Sequence, residues 1–190
     1  MVFYVENCFH WVGFHIVNHL LEEGYSVDGT DDINTDTKEV LSMFVGRNEL
    51  FRQLEPGQRE REYEAAICIS DDALMLEMDR SVTINLPLVF GEWMPMNHNG
   101  FFSREEFIRF DSHQFKREAI YIGEFLNSLR QWIQTSELPS IMDVRSYNDA
   151  RNKNIDYENS VYIRTAHPLD KYVEAVKMHY EKYKKFYRMS

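Results

Sequence analysis

The apolar positions of this chain follow two periods, and the switches between them mark its elements. Val2–Val5 is a short apolar run with β-branched and aromatic residues, which predicts a buried parallel strand. From Val12 to Glu23 the period becomes helical. Val12, Ile16, Val17, Leu20 and Leu21 fall on one face, and Gly24 caps the end. Ser26–Thr30 predicts a second strand, ending at Asp31 and Asp32. Thr35–Arg47 is helical again, with Val40, Leu41, Phe44 and Val45 inward. Leu50–Leu54 and Ala65–Ile69 predict two more strands, separated by the polar stretch Glu55–Glu64 with a turn at Pro56-Gly57. Ser70–Arg80 has room for one or two helical turns. Thr83–Phe90 predicts one strand, closed by Gly91, and Gly91–Phe102 a loop.

Further on, Glu118–Gln134 contains an amphipathic helix with Ile122, Phe125, Leu126, Leu129, Trp132 and Ile133 inward. Ile141–Val144 and Val161–Arg164 predict short strands around a polar loop, Ser146–Asn159. Leu169–Tyr187 is the clearest helix. Its stripe is Leu169, Tyr172, Val173, Val176, Tyr180, Tyr183 and Tyr187, and Pro168 suits its entry. Strands alternating with helices indicate an α/β protein with a parallel sheet.

Composition narrows the function classes. The chain has 190 residues, 44% hydrophobic and 27% charged, with a net charge of −10. That suits one soluble domain and argues against nonspecific binding to a nucleic-acid backbone. Residues 171–190 hold six Lys/Arg against two Glu, leaving about −14 on the rest. The basic end is read as the solvated face of a helix rather than as a contact for an acidic partner. Two cysteines, Cys8 and Cys68, form no disulfide framework and point to the cytoplasm, with both thiols reduced. Strand-like residues from Val2 leave no room for a signal peptide, and no apolar run reaches the ~18 residues of a membrane span.

Three stretches carry a family resemblance. Cys8–Asp32, CFHWVGFHIVNHLLEEGYSVDGTDD, resembles the opening of extended short-chain dehydrogenases, the NAD-dependent epimerase/dehydratase family. Ile84–Trp93, INLPLVFGEW, resembles that family's LRxxNVYGPW phrase, and Ala119–Ile133, AIYIGEFLNSLRQWI, its IYVDDVAxAI helix. The ending, HPLDKYVEAVKMHYEKYKKF, is similar to its last helix. The matches are collinear. The resemblance implies a Rossmann-like fold, here reduced: one domain over residues 1–190, with a parallel sheet flanked by helices, a core to about residue 91 and a small C-terminal portion from about 92.

The departures define the functional expectation. In the family's TGxxGxxG turn the first glycine permits the turn, the second lets the backbone approach the pyrophosphate, and the third allows close helix–strand packing. These positions are Asn7, His10 and Gly13, so only the packing glycine remains. Asn7 tolerates a positive φ, whereas His10 projects a side chain into the phosphate path. Asp31 matches the ribose-binding acid. Asn7, His10, Gly13 and Asp31 are therefore the residues that would meet NAD or NADP, if a nucleotide is retained. The family's catalytic Ser/Thr and Tyr-x-x-x-Lys belong between the strands matching Ala65–Ile69 and Ile84–Gly91. Only the 12 residues Asp71–Val82 lie there, where two βα units need about 60. The one Tyr-x-x-x-Lys string, Tyr180 to Lys184, lies in the last helix and is read as a chance match. Glu92 replaces the Pro of the YGP-like phrase, and Asn85 and Leu88 its Arg and Asn.

Other chemistry is weaker. His15 and His19 have the i, i+4 spacing of two metal ligands, but His15 sits where the family commonly carries a histidine without metal. Cys8 and His10 suit a nucleophile with a base, although no orienting third residue is identifiable, and Cys8 reads as a small core residue. Trp93, Met94, Met96, Phe101 and Phe102 form an apolar cluster, read as core rather than as a lid or partner surface. The expectation is a non-catalytic, epimerase/dehydratase-like pseudoenzyme without a cofactor or metal, acting through a protein partner or self-association. The alternatives are a module that binds or senses NAD, NADP or an adenosine nucleotide, and, more weakly, an enzyme with new chemistry around Cys8, His10 and Asp31.

Overall fold

The structure, a computed structural model, describes residues 1–70, 72–135, 137–150 and 159–187. The chain divides into two compact units at Thr83/Ile84. No helix among the described residues is long and apolar enough to cross a membrane.

The first unit is a Rossmann-like α/β unit. Its elements are β1 (Val2–Glu6), α1 (Trp11–Glu22), β2 (Ser26–Thr30), α2 (Asp36–Val45), β3 (Phe51–Leu54), β4 (Ala65–Ile69), β5 (Ala73–Glu77) and the first residues of β6 (Ser81–Asn85). The sheet order here is β6-β5-β4-β1-β2-β3. β3, β2, β1 and β4 are parallel, as the sequence pattern predicts. α1 buries Val12, Ile16, Val17, Leu20 and Leu21 and ends at Gly24, whose φ of +82° suits a residue without Cβ.

The two faces of this sheet differ in chemistry. Phe3, Val5, Val27 and Ile67 share one face and are fully buried. The opposite face carries Tyr4, Asp28 and Arg52 in register across β1, β2 and β3. Asp28, fully buried, accepts two hydrogen bonds from Arg52 (2.7 and 3.2 Å), two from Arg61 (2.6 and 3.0 Å) and one from Tyr63 (2.9 Å). The polar stretch after Pro56 is thus tied to the sheet through Arg61 and Tyr63, and the buried charge is matched.

One expectation fails in this unit. The described residues of Ser70–Arg80 hold a strand and no helix. β5 folds back antiparallel on β4, so the sheet is mostly rather than wholly parallel. The reason is a period of two: Leu74 and Leu76 are buried while Met75 between them is exposed. A hairpin needs no crossover helix, which explains how so short a segment serves.

The second unit begins within β6 and continues with β7 (Leu88–Phe90), β8 (Met96–Asn97), β9 (Gly100–Ser103), β10 (Glu106–Arg109), α3 (His113–Glu118), β11 (Ala119–Tyr121), α4 (Ile122–Ile133), β12 (Ile141–Ser146), α5 (Tyr147–Ala150), β13 (Ser160–Ile163) and α6 (Leu169–Tyr183). β7 pairs in parallel with β11, and β12 with β13, while β8, β9 and β10 form an antiparallel sheet.

Several predicted boundaries are corrected here. Thr83–Phe90 is two strands, because Pro87 has no N–H to continue a ladder. Gly91–Phe102, expected to be a loop, contains β8 and most of β9. At Gly100 a Cβ would lie 2.2 Å from the Ile108 carbonyl oxygen, so β9 and β10 meet only with glycine there. The amphipathic helix expected within Glu118–Gln134 is α4, which buries Ile122, Phe125, Leu126, Leu129 and Trp132, and a strand precedes it. α3, capped by Ser112, stops at Glu118, and Ala119–Tyr121 is drawn into pairing with Leu88–Phe90. Ala119 and Ile120 are fully buried, and that pairing overrides helical periodicity. The loop expected over Ser146–Asn159 opens with the helical turn α5, and residues 151–158 lie outside those described. The last helix ends at Tyr183 and tightens into a 3-10 turn, Lys184–Phe186.

Of the loop aromatics, Trp93, Met94, Met96 and Phe101 are buried and Phe102 is partly exposed. Trp93 adopts a φ of +67°, donates its N–H to the Tyr187 hydroxyl at 2.7 Å and stacks on that ring with centroids 5.4 Å apart. His179 Nδ1 lies 2.7 Å from the same hydroxyl. Tyr180 is buried in the apolar stripe of α6, with Lys184 Nζ lying over its ring.

Candidate functional site: the turn between the first strand and the first helix

The end of β1 leads into the turn Asn7–His10, which opens α1. In a Rossmann-like sheet a dinucleotide lies outside the carboxyl ends of the strands, where the chain order reverses. Here that point lies between β1 and β4. Asn7 has a φ of +56°, the conformation for which a glycine is the usual residue and an asparagine the usual substitute. Its side-chain amide donates to the Ile69 carbonyl oxygen at 2.7 Å, so it ties the end of β1 to the end of β4 across the mouth of the crevice.

Gly13 has the packing role its position implies. A Cβ there would stand 2.2 Å from the Asn7 carbonyl oxygen, which is backbone and cannot swing away. His10 occupies the N-cap of α1 with φ −60° and ψ 143° and makes no side-chain cap bond to the helix. Its amide donates to the Asn7 carbonyl at 3.0 Å and its carbonyl accepts from Phe14 at 2.8 Å. Its ring leans on Trp11, with centroids 6.1 Å apart.

Asp31 is the informative residue. It is buried, its Oδ2 accepts the backbone N–H of Phe9 at 2.8 Å, and its Oδ1 lies 2.5 Å from Lys38 Nζ. In a working crevice an amide of this turn serves the pyrophosphate and the acid serves the ribose. Here the acid and the amide serve each other. Lys38 Nζ also donates to the Asp32 carbonyl at 3.2 Å. The structure therefore brings Asn7, His10, Gly13 and Asp31 together, and the side chains of Asn7 and Asp31 make internal bonds.

Sequence reasoning missed Lys38, the Phe9 amide and the Ile69 carbonyl. For Lys38 a signal existed. It sits in the first turn of α2, whose Thr35 cap accepts its N–H at 3.2 Å, and a cation there opposes the helix dipole. The first turn also carries Asp36 and Glu39, and the anion that Lys38 meets is Asp31.

The remaining candidates resolve simply. Cys8 is fully buried, and a Cβ at Gly29 would lie 2.8 Å from its sulfur. Burial, with Asp31 nearby, pushes its thiol far above the ordinary range, in keeping with a small core residue. Cys68 donates to Glu6 Oε2 at 3.0 Å, and burial with that carboxylate pushes it up to about 11. β1 and β4 place Glu6, not Cys8, opposite Cys68, and both cysteines are free. His15 packs edge-on against Trp11 and Phe14.

No family model matches the chain, and no curated protein matches it. Among solved structures, the crystal structure of yeast methylglyoxal/isovaleraldehyde reductase Gre2 complexed with NADPH is similar, at 11% identity and a TM-score of 0.30. The alignment covers 98% of this chain and 54% of that one, so the chain spans about half the length of the reductase.

Proposed function

We propose that this is a non-catalytic protein of Rossmann-like fold, whose nucleotide crevice is closed by its own residues and which acts through protein contacts. The observation that carries this reading is the Asp31 carboxylate bound to the Phe9 amide and to Lys38, in the place where a nucleotide would find an acid and an amide free. Charge supports it. Residues 1–83 carry 17 acidic against 6 basic side chains, a field that repels a dinucleotide polyphosphate. Met43 and Phe44, adjacent on α2 and 61% and 50% exposed, are apolar groups of the sort that mark contact surfaces.

Thermal-shift and calorimetric titration with NAD, NADP and AMP test the reading. No change in melting temperature and no heat of binding are expected. Saturable binding of any of the three, or hydride transfer with either dinucleotide, overturns it.

A second reading, a module that senses NADP or a phosphorylated adenosine, rests on Lys38. Its side chain is 23% exposed and lies beside the ribose-binding position, where an added phosphate would exchange for the Asp31 carboxylate. Binding of NADP but not NAD, abolished in Lys38→Met, would favour it.

A further inference from the structure

Five polar or charged residues are buried in the described structure: Asp28, Thr30, Asp31, Ser146 and Asp149. The first three are matched within the first unit, by arginines, by the Tyr4 hydroxyl at 3.0 Å and by the Phe9 amide with Lys38. The other two line a single cavity of about 580 Å³ in the second unit. A small-molecule site has this volume. A second, smaller cavity shares Ser146 and is lined by Arg164 and Thr165, just past the end of β13. Together they cover the carboxyl ends of the parallel pair β12 and β13, the usual ligand side of such strands.

The charges in the larger cavity are of both signs; Glu118 is paired closely with Arg117, while the contacts of Asp149 are longer. Asp149 faces Arg117 Nε at 3.2 Å and Arg145 Nη1 at 3.6 Å, beyond the 2.7–2.9 Å of a charge-assisted bond. Glu118 and Asp143 stand on the lining, Asp143 accepting from Asn85 at 2.6 Å.

Arg104 adds a cost. The β9–β10 hairpin has two central residues, Arg104 and Glu105, with φ of +50° and +65°. This is the geometry of a type I′ turn, for which Asn-Gly is the comfortable pair. An Arg-Glu pair there is strained, and such strain persists where a side chain has work to do. The Arg104 guanidinium reaches the Leu86 carbonyl at 2.9 Å and lines the cavity.

We infer that this cavity binds a small zwitterion with an excess of positive charge, namely an amino acid with a basic side chain or a short basic peptide. The ligand carboxylate meets Arg104 and Arg145. Its ammonium and basic group meet Glu118, Asp143 and Asp149. Four lining carboxylates, Glu106 being the fourth, face two lining arginines and Arg117, which pairs with Glu118 and Asp149; the excess of one negative charge selects a ligand of net charge +1. An apolar ligand would leave these polar groups desolvated and unmatched.

The test is thermal shift and calorimetry on the full chain with L-arginine and L-lysine, beside agmatine, cadaverine and inorganic phosphate. Expected is a saturable rise in melting temperature with one or both amino acids, at least tenfold weaker binding of the decarboxylated amines, and no response to phosphate. Arg104→Gly relieves the turn, so it should melt no lower than the parent while losing at least tenfold in amino-acid affinity. A flat response to both amino acids, amines that bind as well as they do, or a phosphate response that matches theirs overturns the inference. So does an Arg104→Gly protein that melts lower yet binds unchanged.

Discussion

The crevice above β1 and the cavity beside β12 treat polar groups in opposite ways. In the crevice, a carboxylate, an amide and an ammonium meet at 2.5–2.8 Å, and a neighbouring asparagine bridges two strand ends at 2.7 Å. In the cavity, Asp149 meets its nearest guanidinium nitrogens at 3.2 and 3.6 Å, around about 580 Å³ of space. Charge follows the same division. The residues before Ile84 carry 6 basic against 17 acidic side chains, and those from Ile84 onward carry 15 against 14. In the crevice the polar groups bind one another closely, whereas beside the cavity Asp149 is held at longer range around open space. Close internal pairing and polar-lined open space thus occur in different units of one chain.

The largest expected effect comes from the tightest point of the crevice. Gly13→Ala places a methyl group 2.2 Å from a backbone oxygen, and relief requires α1 to move off β1. A loss of about 3 kcal/mol in denaturant unfolding is expected. A loss below about 1 kcal/mol would show that the turn is loose and would weaken the contrast with the cavity.

Asp28 follows. Asp28→Asn removes the charge that holds Arg52 and Arg61, and about 2 kcal/mol should be lost. That is less than for a fully dry pair, since both guanidiniums are more than 40% exposed. The pH dependence has a definite sign. Burial alone would raise the Asp28 carboxyl, but hydrogen bonds from Arg52, Arg61 and Tyr63 outweigh it and hold the group at about 2, below its ordinary 3.8. Its contribution is therefore complete above about pH 4 and is lost as pH falls toward 2. Acid unfolding followed by circular dichroism should be shallower between those values in Asp28→Asn than in the parent.

How far the sequence exposes these features depends on the range of the contacts. α1, β2 and the packing role of Gly13 are visible because each depends on neighbours within one βαβ unit. The positive φ of Asn7 is visible for the same reason. The β5 hairpin was masked by taking a polar, short segment for helix, although Leu74-Met75-Leu76 already alternates. β11 was hidden by a real competition: Ala119–Tyr121 continues a helical pattern, and only pairing with Leu88–Phe90, some thirty residues earlier, makes it a strand. Asp31 was identified as the candidate acid, but its engagement with the Phe9 amide is a matter of side-chain reach across the turn, which periodicity does not encode. The cavity beside β12 went unread because its charges come from separated segments and share no motif.

Asp31→Ala probes the crevice more gently. It strands the Phe9 amide and leaves Lys38 without its carboxylate, and a loss of about 1.5 kcal/mol is expected. If the carboxylate stands in for an anion, the variant should also recover part of its stability in inorganic phosphate, where the parent does not respond. Equal responses of the two proteins to phosphate would show that the amide and Lys38 form no anion site once exposed.

The smallest effect should lie in the cavity, and its sign matters more than its size. Arg104→Gly removes one guanidinium–carbonyl hydrogen bond, about 1 kcal/mol, and relieves a positive-φ residue, of similar worth. Ligand-free stability should therefore stay within about 0.5 kcal/mol of the parent. The crevice variants cannot behave this way, because each breaks a contact whose backbone is otherwise at ease with its residue. A cost near that of Asp31→Ala would mean that Arg104 is held for the fold, and the cavity would then resemble the crevice rather than contrast with it. A null or slightly positive change would show that the contacts of Arg104 within the fold do not outweigh the strain of its turn, the outcome that the ligand proposal requires.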